Sequence, residues 1–301
     1  MNGAGDSILP GSLVSAEWLQ ERLGAPGLRV VDIRGYVRTT DLGNGRQHAS
    51  YEGAPDEYAE SHIPGSVFVD WTRDIVDPDN PVAAQIAPPG LFAFEMEKRG
   101  IGDDSDVVVV DHAGGHFATR LWWALRYYGH DRVAILDGGF DRWRGEGRPL
   151  TAEVGTPPPA RFVPVVRPEL RAEWEQVLAV TQGGGARVLD ARDPAQYCGD
   201  MVRGSRGGHI PGALSVPAKS MFQEDGLWKT PEHLRQVLEE AGVSEGGPVI
   251  AYCNGGVTAT AVLFALERAG FPAGANYDGS WNEWGEREDL PVEGWPPSGA
   301  S

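Results

Sequence analysis

The sequence has little cysteine, no long apolar run and fewer basic than acidic residues. Its 301 residues include two cysteines, Cys198 and Cys253, too few for a disulfide framework and typical of a reducing compartment. No apolar run approaches the roughly 18 residues that a membrane-spanning helix needs. The first residues show no basic segment followed by an apolar one, so we expect no secretory signal and a cytoplasmic protein.

The excess of acidic residues narrows the choice of partners. Asp and Glu number 43 and Lys and Arg number 26, which gives a net charge of −17. Such a surface repels nucleic-acid phosphates and anionic lipids, so we expect neither nucleic acid nor a membrane as a partner. A small anionic substrate would need a local basic pocket to offset the negative potential of this surface.

The length and the order of apolar segments predict two α/β domains. The chain is about twice the usual domain size of roughly 100–150 residues. Short valine-rich runs, such as 28–33 and 107–110, alternate with amphipathic segments, which is typical of a parallel sheet with helices on both faces. A proline-rich stretch, 151–168, interrupts this pattern and is interpreted as a linker between domains at 1–150 and 169–301.

The second half of the chain repeats the first. Between 112–143 and 253–284, eleven of 32 positions carry identical residues at a constant offset of 141, which indicates a duplicated domain. Cys253 in the second copy lies opposite His112 in the first. Because a shared fold does not require this difference, it points to the place where the chemistry occurs.

The residues around Cys253 are typical of an anion-binding loop. Cys253 directly follows the apolar run 249–252, and an apolar helix is predicted from Ala259. The loop between them is Asn254, Gly255, Gly256, Val257 and Thr258. Ligands bind at the carboxyl ends of parallel strands. Two glycines allow successive N–H groups to face one anion, and the next helix adds its positive end. The pattern therefore favours a reactive thiolate over a buried structural cysteine.

Two kinds of reaction use a cysteine in such a loop. Cysteine phosphatases need an arginine six positions after the nucleophile to grip phosphate, and Ala259 occupies that position here. Sulfur transfer has no such requirement. In that reaction the thiolate takes up a sulfane sulfur as a persulfide and passes it to an acceptor, while the loop stabilises the negative charge.

From about Ser12 to Gly294 the chain resembles a two-domain rhodanese, the family of thiosulfate and 3-mercaptopyruvate sulfurtransferases. The motifs that carry the resemblance are Asp190-Ala191-Arg192, Gly208-His209-Ile210-Pro211-Gly212, the loop from Cys253 to Ala259, and Asp278-Gly279-Ser280-Trp281-Asn282-Glu283-Trp284. The resemblance implies two tandem α/β rhodanese-like domains, each with a parallel sheet of about five strands and helices on both faces. It also implies an inactive first copy and a catalytic second copy, with the active loop at their interface.

The resemblance implies a sulfurtransferase that needs no metal and no organic cofactor. A Cys253 persulfide would carry sulfur from thiosulfate or 3-mercaptopyruvate to cyanide or a thiol, and a thioredoxin-like reductant is a further expected partner. The alternative is a non-catalytic persulfide relay or interaction module that serves a partner protein. The neutral Asn254 and Gly255 favour 3-mercaptopyruvate. Gln196 points the other way, because many 3-mercaptopyruvate enzymes carry an arginine there.

Four further side chains are candidates for binding the donor. Arg203 and Arg206 lie just before His209, and we expect one of them to face the pocket and supply the charge that Gln196 lacks. Arg192 is expected either to reach the active loop or to form a structural ion pair. His62 is expected either to face the interdomain cleft or to stabilise a turn through backbone hydrogen bonds.

Overall fold

The computed structural model describes residues 6–112, 115–244 and 246–294, and its first domain is built around a parallel sheet. The elements of this domain are β1 (Leu13–Val14), α1 (Ala16–Gln20), β2 (Leu28–Asp32), β3 (Gly35–Gly43), β4 (Arg46–Gly53), α2 (Pro55–Glu60), β5 (Val67–Phe68), α3 (Pro89–Lys98), β6 (Asp106–Val110), α4 (His116–Tyr127), β7 (Val133–Leu136) and α5 (Gly139–Gly145). Ser15 caps α1, since its side chain accepts a hydrogen bond from the Trp18 N–H.

The second domain repeats this arrangement. Its elements are β8 (Arg171–Ala172), α6 (Trp174–Thr181), β9 (Arg187–Asp190), α7 (Pro194–Cys198), β10 (Val202–Arg203), β11 (Leu214–Ser215), α8 (Pro231–Glu240), β12 (Val249–Tyr252), α9 (Ala259–Arg268), β13 (Ala275–Tyr277) and α10 (Ser280–Trp284). Short 3₁₀ turns cover Pro168–Leu170 and Ala218–Met221. Over the described ranges, we find no helix whose length and apolar character would suit a bilayer span.

The two five-stranded sheets share one topology. The strand order is β1-β7-β6-β2-β5 in the first sheet and β8-β13-β12-β9-β11 in the second, and every pair in both sheets is parallel. The prediction of two tandem domains, each with a parallel sheet of about five strands, is confirmed. In each sheet the strand that precedes the loop of interest, β6 or β12, is central, because parallel neighbours flank it on both sides.

Side chains along the central strands point alternately to opposite faces of each sheet, and these faces pack in three hydrophobic cores. Val107 and Val109 of β6 face one core, whereas Val108 and Val110 face another on the opposite side of the sheet. The strand β12 alternates in the same way between the first of these cores and a third one. The inner faces of both sheets therefore share a single continuous core. Domains joined in this way do not behave as separately moving bodies.

The helices α4 and α9 meet in this common core at equivalent positions of the two copies. The hydroxyls of Thr119 and Thr260, which are 141 residues apart, lie 2.9 Å from each other. Near them the rings of Trp122 and Phe264 pack edge to face with their centroids 5.0 Å apart. Contact between equivalent residues is typical of a two-fold relation, so the duplicated domains pack as a pseudo-symmetric pair.

A hairpin that the sequence analysis did not anticipate links the two domains. The strands β3 and β4 are antiparallel and are joined by Asn44 and Gly45, both with positive φ, 52° and 73°, as a type I′ turn requires. The outer edge of β4 pairs in parallel with β10, which places Val202 beside Arg46 and Arg203 beside Gln47. A third sheet, β10-β4-β3, therefore crosses the domain boundary.

The proline-rich segment predicted as a linker follows the surface of the first domain. Thr151 forms an antiparallel bridge with His62, and the Val165 N–H donates to the Tyr128 carbonyl at 2.9 Å. Between these points Phe162 is buried in the common core. Backbone anchors at both ends, together with a buried aromatic ring, give this segment a fixed path.

A buried ion pair also joins the domains. Arg120 of α4 is 1% exposed and Asp278, just after β13, is 0% exposed. The Arg120 guanidinium donates to the Asp278 carboxylate and, at 2.8 Å, to the Ala84 carbonyl. The Asp278 carboxylate also accepts the Ile86 N–H at 2.8 Å. Removing one partner of such a pair leaves an uncompensated buried charge.

The Arg120→Met substitution is expected to lower the free energy of unfolding by about 3–5 kcal/mol, because Asp278 would remain buried without its cation. Chemical denaturation measures this change. Arg126→Met on the same helix is the matched control, since its ion pair with Glu267 is partly exposed and should contribute less than about 1 kcal/mol. Equal losses in the two variants would contradict the role given to the buried pair.

Candidate active site

Cys253 lies at the carboxyl end of β12, where the two domains face each other across a cavity. The cavity has a volume of about 1070 Å³ and is lined by residues of both domains. Cys253 is 2% exposed and lines it together with Asn254, Gly255, Val257 and Thr258. The sulfur is unbridged, since Cys253 is a free cysteine. The position at a strand end in a cleft agrees with where parallel sheets bind ligands.

The helix α10 holds the first carbonyl groups of the loop. The Trp281 N–H donates to the Cys253 carbonyl at 3.1 Å, and the Asn282 N–H donates to the Asn254 carbonyl at 2.7 Å. The Cys253 N–H donates in turn to the Ser280 hydroxyl at 3.1 Å. The first turn of α10 has N–H groups without partners inside the helix, and here the loop carbonyls satisfy them.

Gly256 forms the bend of the loop and is fixed from the opposite side. Its carbonyl accepts from Arg120 at 3.2 Å and from Asn276 at 3.0 Å. Its φ is +70°, and a Cβ at this position would lie 2.7 Å from the Asp278 carbonyl oxygen. Both facts require glycine here. The loop carbonyls are thus bound to the surrounding protein, and Arg120 of the first domain supplies part of that binding.

The N–H groups of the same loop are left without partners. From Asn254 to Thr258, no backbone N–H donates to any acceptor in the described part of the chain. Unpaired buried N–H groups are costly, so a run of them is a site for an acceptor from outside. The helix α9 begins directly after Thr258 and adds the positive end of its dipole.

The first copy shows what this part of the fold can bind. The carboxylate of Asp111 accepts the N–H groups of Phe117 at 3.0 Å and Ala118 at 3.2 Å, and Asp111 is 2% exposed. The position equivalent to Asp111 in the second copy is Tyr252, whose hydroxyl donates instead to Asp190 at 2.5 Å. The first turn of α4 therefore binds a carboxylate of its own copy, whereas Tyr252 offers none to the equivalent residues Thr258 and Ala259.

Arg192 is both an ion-pair partner and a cavity residue. Its guanidinium donates to the Asp190 carboxylate at 2.6 Å and to the Gly208 carbonyl at 2.7 Å, and it lies 4.2 Å from the centre of the Trp281 ring. Burial disfavours its charge, but Asp190 outweighs this and raises the pKa of Arg192. Arg192 also lines the cavity.

Arg203 also lines the cavity, at the seam between the hairpin and the second domain. Its Nη2 donates to the Thr39 hydroxyl at 3.2 Å, while its buried Nε has no partner among the described residues. Gln196 lines the same cavity and accepts from the Asn254 side chain at 3.2 Å. The structure therefore brings Arg203, Gln196 and the loop into one cavity.

The structure places Arg206 elsewhere. Its guanidinium donates to the carbonyls of Gly285 at 3.0 Å, Leu290 at 2.9 Å and Trp284 at 2.7 Å. Arg206 does not appear among the described residues that line the cavity. Arg203 therefore agrees with the expectation that one of the two arginines faces the pocket. Arg206 instead closes the segment that follows α10 and is removed from the candidates for binding the donor.

Of the two roles expected for His62, the structure agrees with the turn, and His62 is not among the described residues that line the cavity, so it is removed from the candidates for binding the donor. His62 is 0% exposed, and its ring nitrogens lie 2.6 Å from the Tyr58 carbonyl and 3.2 Å from the Glu153 carbonyl. The ring stacks on Tyr58 with centroids 4.0 Å apart. His209 stacks on Tyr197 in the same way in the second copy, at 3.7 Å. These contacts assign both histidines to the turns that they begin.

Two side chains at the site were missed by the sequence analysis. Tyr51 of β4 lines the cavity, and Arg120 reaches the active loop from α4. The Asn44-Gly45 dipeptide between alternating residues was the available signal for the hairpin that carries Tyr51. Nothing local distinguishes Arg120 from a surface arginine, because its partners come from distant parts of the chain.

The charge balance of the cavity differs from that of the whole chain. Of the described residues that line it, five are cationic and four are acidic, against a net charge of −17 for the chain. The cationic ones are Arg34, Arg144, Arg192, Arg203 and Lys219. The cleft is therefore a local region in which an anion is not repelled by the general field.

Comparison with known proteins agrees with this architecture. The model of the rhodanese-like domain family matches residues 15–146 and 173–287. The thiosulfate sulfurtransferase of Cricetulus griseus is 37% identical over 288 residues, covering 92% of this chain and 93% of that protein. The 3-mercaptopyruvate sulfurtransferase of Escherichia coli K12 is 35% identical over 283 residues, covering 93% and 97%.

Two further matches extend the comparison. The sulfur carrier protein TtuD of Thermus thermophilus is 34% identical over 297 residues, covering 94% of this chain and 96% of that protein. The crystal structure of SseA, a 3-mercaptopyruvate sulfotransferase from Escherichia coli, superposes on this chain with a TM-score of 0.79. The two sequences are 32% identical, and the match covers 90% of this chain and 98% of that one. The chain therefore belongs to the rhodanese family, as a sulfurtransferase built from two rhodanese-like domains.

Proposed function

We propose that this protein moves a sulfane sulfur from thiosulfate or 3-mercaptopyruvate to cyanide or a thiol through a persulfide on Cys253. The observation that carries the proposal is the run of unpartnered N–H groups from Asn254 to Thr258 beside Cys253 in an interdomain cavity. In the first copy the N–H groups of Phe117 and Ala118, the equivalents of Thr258 and Ala259, bind the Asp111 carboxylate. A loop of this kind stabilises the anionic sulfur in both halves of the reaction.

In the first half-reaction the Cys253 thiolate attacks the transferable sulfur of the donor. A bond forms between the two sulfur atoms, and the bond between that sulfur and the rest of the donor breaks. The leaving group takes the electron pair, as sulfite from thiosulfate or as the enolate of pyruvate from 3-mercaptopyruvate. The enolate then takes a proton, equivalent to the one lost from the donor thiol.

In the second half-reaction the acceptor attacks the outer sulfur of the persulfide. With cyanide, a carbon–sulfur bond forms, the sulfur–sulfur bond breaks, and the electron pair returns to Cys253 as the thiolate while thiocyanate leaves. A thiol acceptor attacks in the same way and leaves with the sulfur as its own persulfide. A thioredoxin-like reductant would be such an acceptor. No metal or organic cofactor takes part in either half-reaction.

Both donors are anions, and Arg203 is the residue proposed to attract their charge. Its unpartnered Nε and its place in the cavity support this role. Gln196 has no charge with which to bind the carboxylate of 3-mercaptopyruvate. The neutral Asn254 in turn adds little to the binding of thiosulfate, which is a dianion. These two residues favour different donors, so the proposal includes both.

A persulfide relay that serves a partner protein is the second candidate. Two observations favour it: the similarity to the sulfur carrier protein TtuD and a cavity of about 1070 Å³. A cavity of this size would hold a drug-sized ligand, which is far larger than either small donor. A relay would accept and deliver sulfur through the same Cys253 but would turn over small donors poorly.

The Cys253→Ser substitution is expected to abolish both persulfide formation and thiocyanate production, because serine provides no thiolate to carry the sulfur. Mass spectrometry of the donor-treated protein detects the added sulfur atom, and a cyanide assay measures turnover. Cys198→Ser is the matched control, since Cys198 is an exposed free cysteine, and it should keep full activity.

Parallel assays of the wild-type protein with thiosulfate and 3-mercaptopyruvate separate the two candidate functions. Turnover of either donor supports the enzyme. If neither donor is turned over, the relay is favoured. Full activity in the Cys253→Ser protein would rule out both, because each needs the persulfide.

The Arg203→Met substitution is expected to raise the KM for an anionic donor about tenfold or more, the size of a lost charge-assisted hydrogen bond. The rate of sulfur loss from a preformed persulfide to cyanide should change little. Arg46→Met is the matched control, because Arg46 lies on the same seam and donates to the Gly204 carbonyl at an exposed site. An equal rise of KM in both variants would assign the effect to general charge rather than to Arg203.

A further inference from the structure

Tyr51 reaches the active loop of the second domain from the hairpin of the first. It lies on β4 and lines the same cavity as Cys253. Its ring packs edge-on against Trp71, with centroids 5.4 Å apart. Its hydroxyl oxygen accepts a hydrogen bond from the Asn282 side chain at 3.3 Å. The ring is thus anchored in the first domain, while the hydroxyl contacts the second.

The Tyr51 hydroxyl lies directly over the loop at Gly255. A Cβ on Gly255 would be 3.5 Å from the Tyr51 oxygen and 2.9 Å from the Asn282 Nδ2. Gly255 is two residues from Cys253 and carries one of the unpartnered N–H groups. The Tyr51 hydroxyl therefore lies beside a loop residue that carries one of the open donors, and both residues line the cavity.

The proton of the Tyr51 hydroxyl is not used by the protein. Asn282 supplies the hydrogen in its contact with Tyr51, and no described residue accepts the hydrogen of Tyr51 itself. Burial raises the pKa of Tyr51, and a negative charge at Cys253 raises it further. The hydroxyl therefore keeps its proton at neutral pH. By contrast, Tyr36 on the same hairpin donates its hydroxyl proton to Glu57.

Tyr51 and Arg203 lie on the two strands that form the interdomain seam. Arg203 on β10 is in register with Gln47 of β4, and Tyr51 is four residues further along β4. Residues separated by an even number of positions on a strand share one face, so Tyr51 follows Gln47 on the face of β4 that Gln47 occupies. Both Tyr51 and Arg203 line the cavity, which gives it a neutral and a charged donor from adjacent strands.

We propose that Tyr51 is a catalytic residue that donates a hydrogen bond to an oxygen of the leaving group of the sulfur donor bound over the Cys253 loop, a sulfite oxygen of thiosulfate or the keto oxygen of 3-mercaptopyruvate. This role rests on the proposed sulfur transfer. As the bond to the transferred sulfur breaks, the leaving group takes the electron pair and becomes a stronger hydrogen-bond acceptor. A donor placed in advance at that position stabilises the transition state more than the bound ground state.

The test is the Tyr51→Phe variant, with the two half-reactions measured separately in single turnovers. Phenylalanine keeps the ring packing on Trp71. Persulfide formation from thiosulfate or 3-mercaptopyruvate should slow by about tenfold to a hundredfold, as expected for losing a hydrogen bond to a charged group. Transfer from the preformed persulfide to cyanide should stay within about twofold of wild type, because the sulfur donor has already left.

Tyr36→Phe is the matched control. It removes a cavity-facing hydroxyl from the same hairpin, but one whose proton is already donated to Glu57. This variant should form the persulfide at the wild-type rate. Denaturation midpoints of the wild-type protein and both variants identify any loss of activity that comes from unfolding.

Three results would overturn the role of Tyr51. Persulfide formation in Tyr51→Phe could match wild type, both half-reactions could slow equally, or Tyr36→Phe could slow as much as Tyr51→Phe. Slowing of the second half-reaction alone would place the hydrogen bond on the persulfide instead of the donor. Failure of the proposed function would look different, since the wild-type protein itself would then form no persulfide with either donor.

Discussion

The central constraint on this structure is that the backbone N–H groups after the central strand of each sheet need an acceptor. In the second copy the carbonyls of Cys253 and Asn254 are bound by the first turn of α10, and the Gly256 carbonyl is bound by Arg120. The N–H groups of 254–258 are then left open. In the first copy the Asp111 carboxylate accepts the N–H groups of Phe117 and Ala118, which are equivalent to Thr258 and Ala259. The same part of the fold therefore binds an internal carboxylate in the first copy and leaves its N–H groups free for a ligand in the second copy.

Neither domain holds a complete site. The second domain supplies Cys253 and its loop, while the first supplies Arg120, which binds the loop from behind, and Tyr51, which faces it from the cavity. The continuous core between the sheets keeps these parts in fixed positions. The first domain therefore contributes side chains around the Cys253 loop, although it carries His112 at the position equivalent to Cys253. After the duplication, side chains of one copy could take on roles around the loop of the other copy.

Sequence reasoning succeeded where the determining contacts are local. The strand, Cys253, the glycine-containing loop and the helix from Ala259 follow one another directly, and spacing alone placed them. It could not choose between the roles open to Arg206 and His62, because their partners lie up to 84 and 91 residues away, at Leu290 and Glu153. A charged or titratable residue near a motif is as readily used to close a turn as to bind a substrate.

The contact between the hairpin and Gly255 has a consequence for how this lineage can change. A Cβ at 255 would lie 2.9 Å from the Asn282 Nδ2 and 3.5 Å from the Tyr51 oxygen, so a larger side chain there would displace the Asn282 amide from its contact with Tyr51. A change of residue at 255 would therefore also alter the contact between α10 and the hairpin. The residues at 51, 255 and 282 are thus expected to change together as the protein diverges.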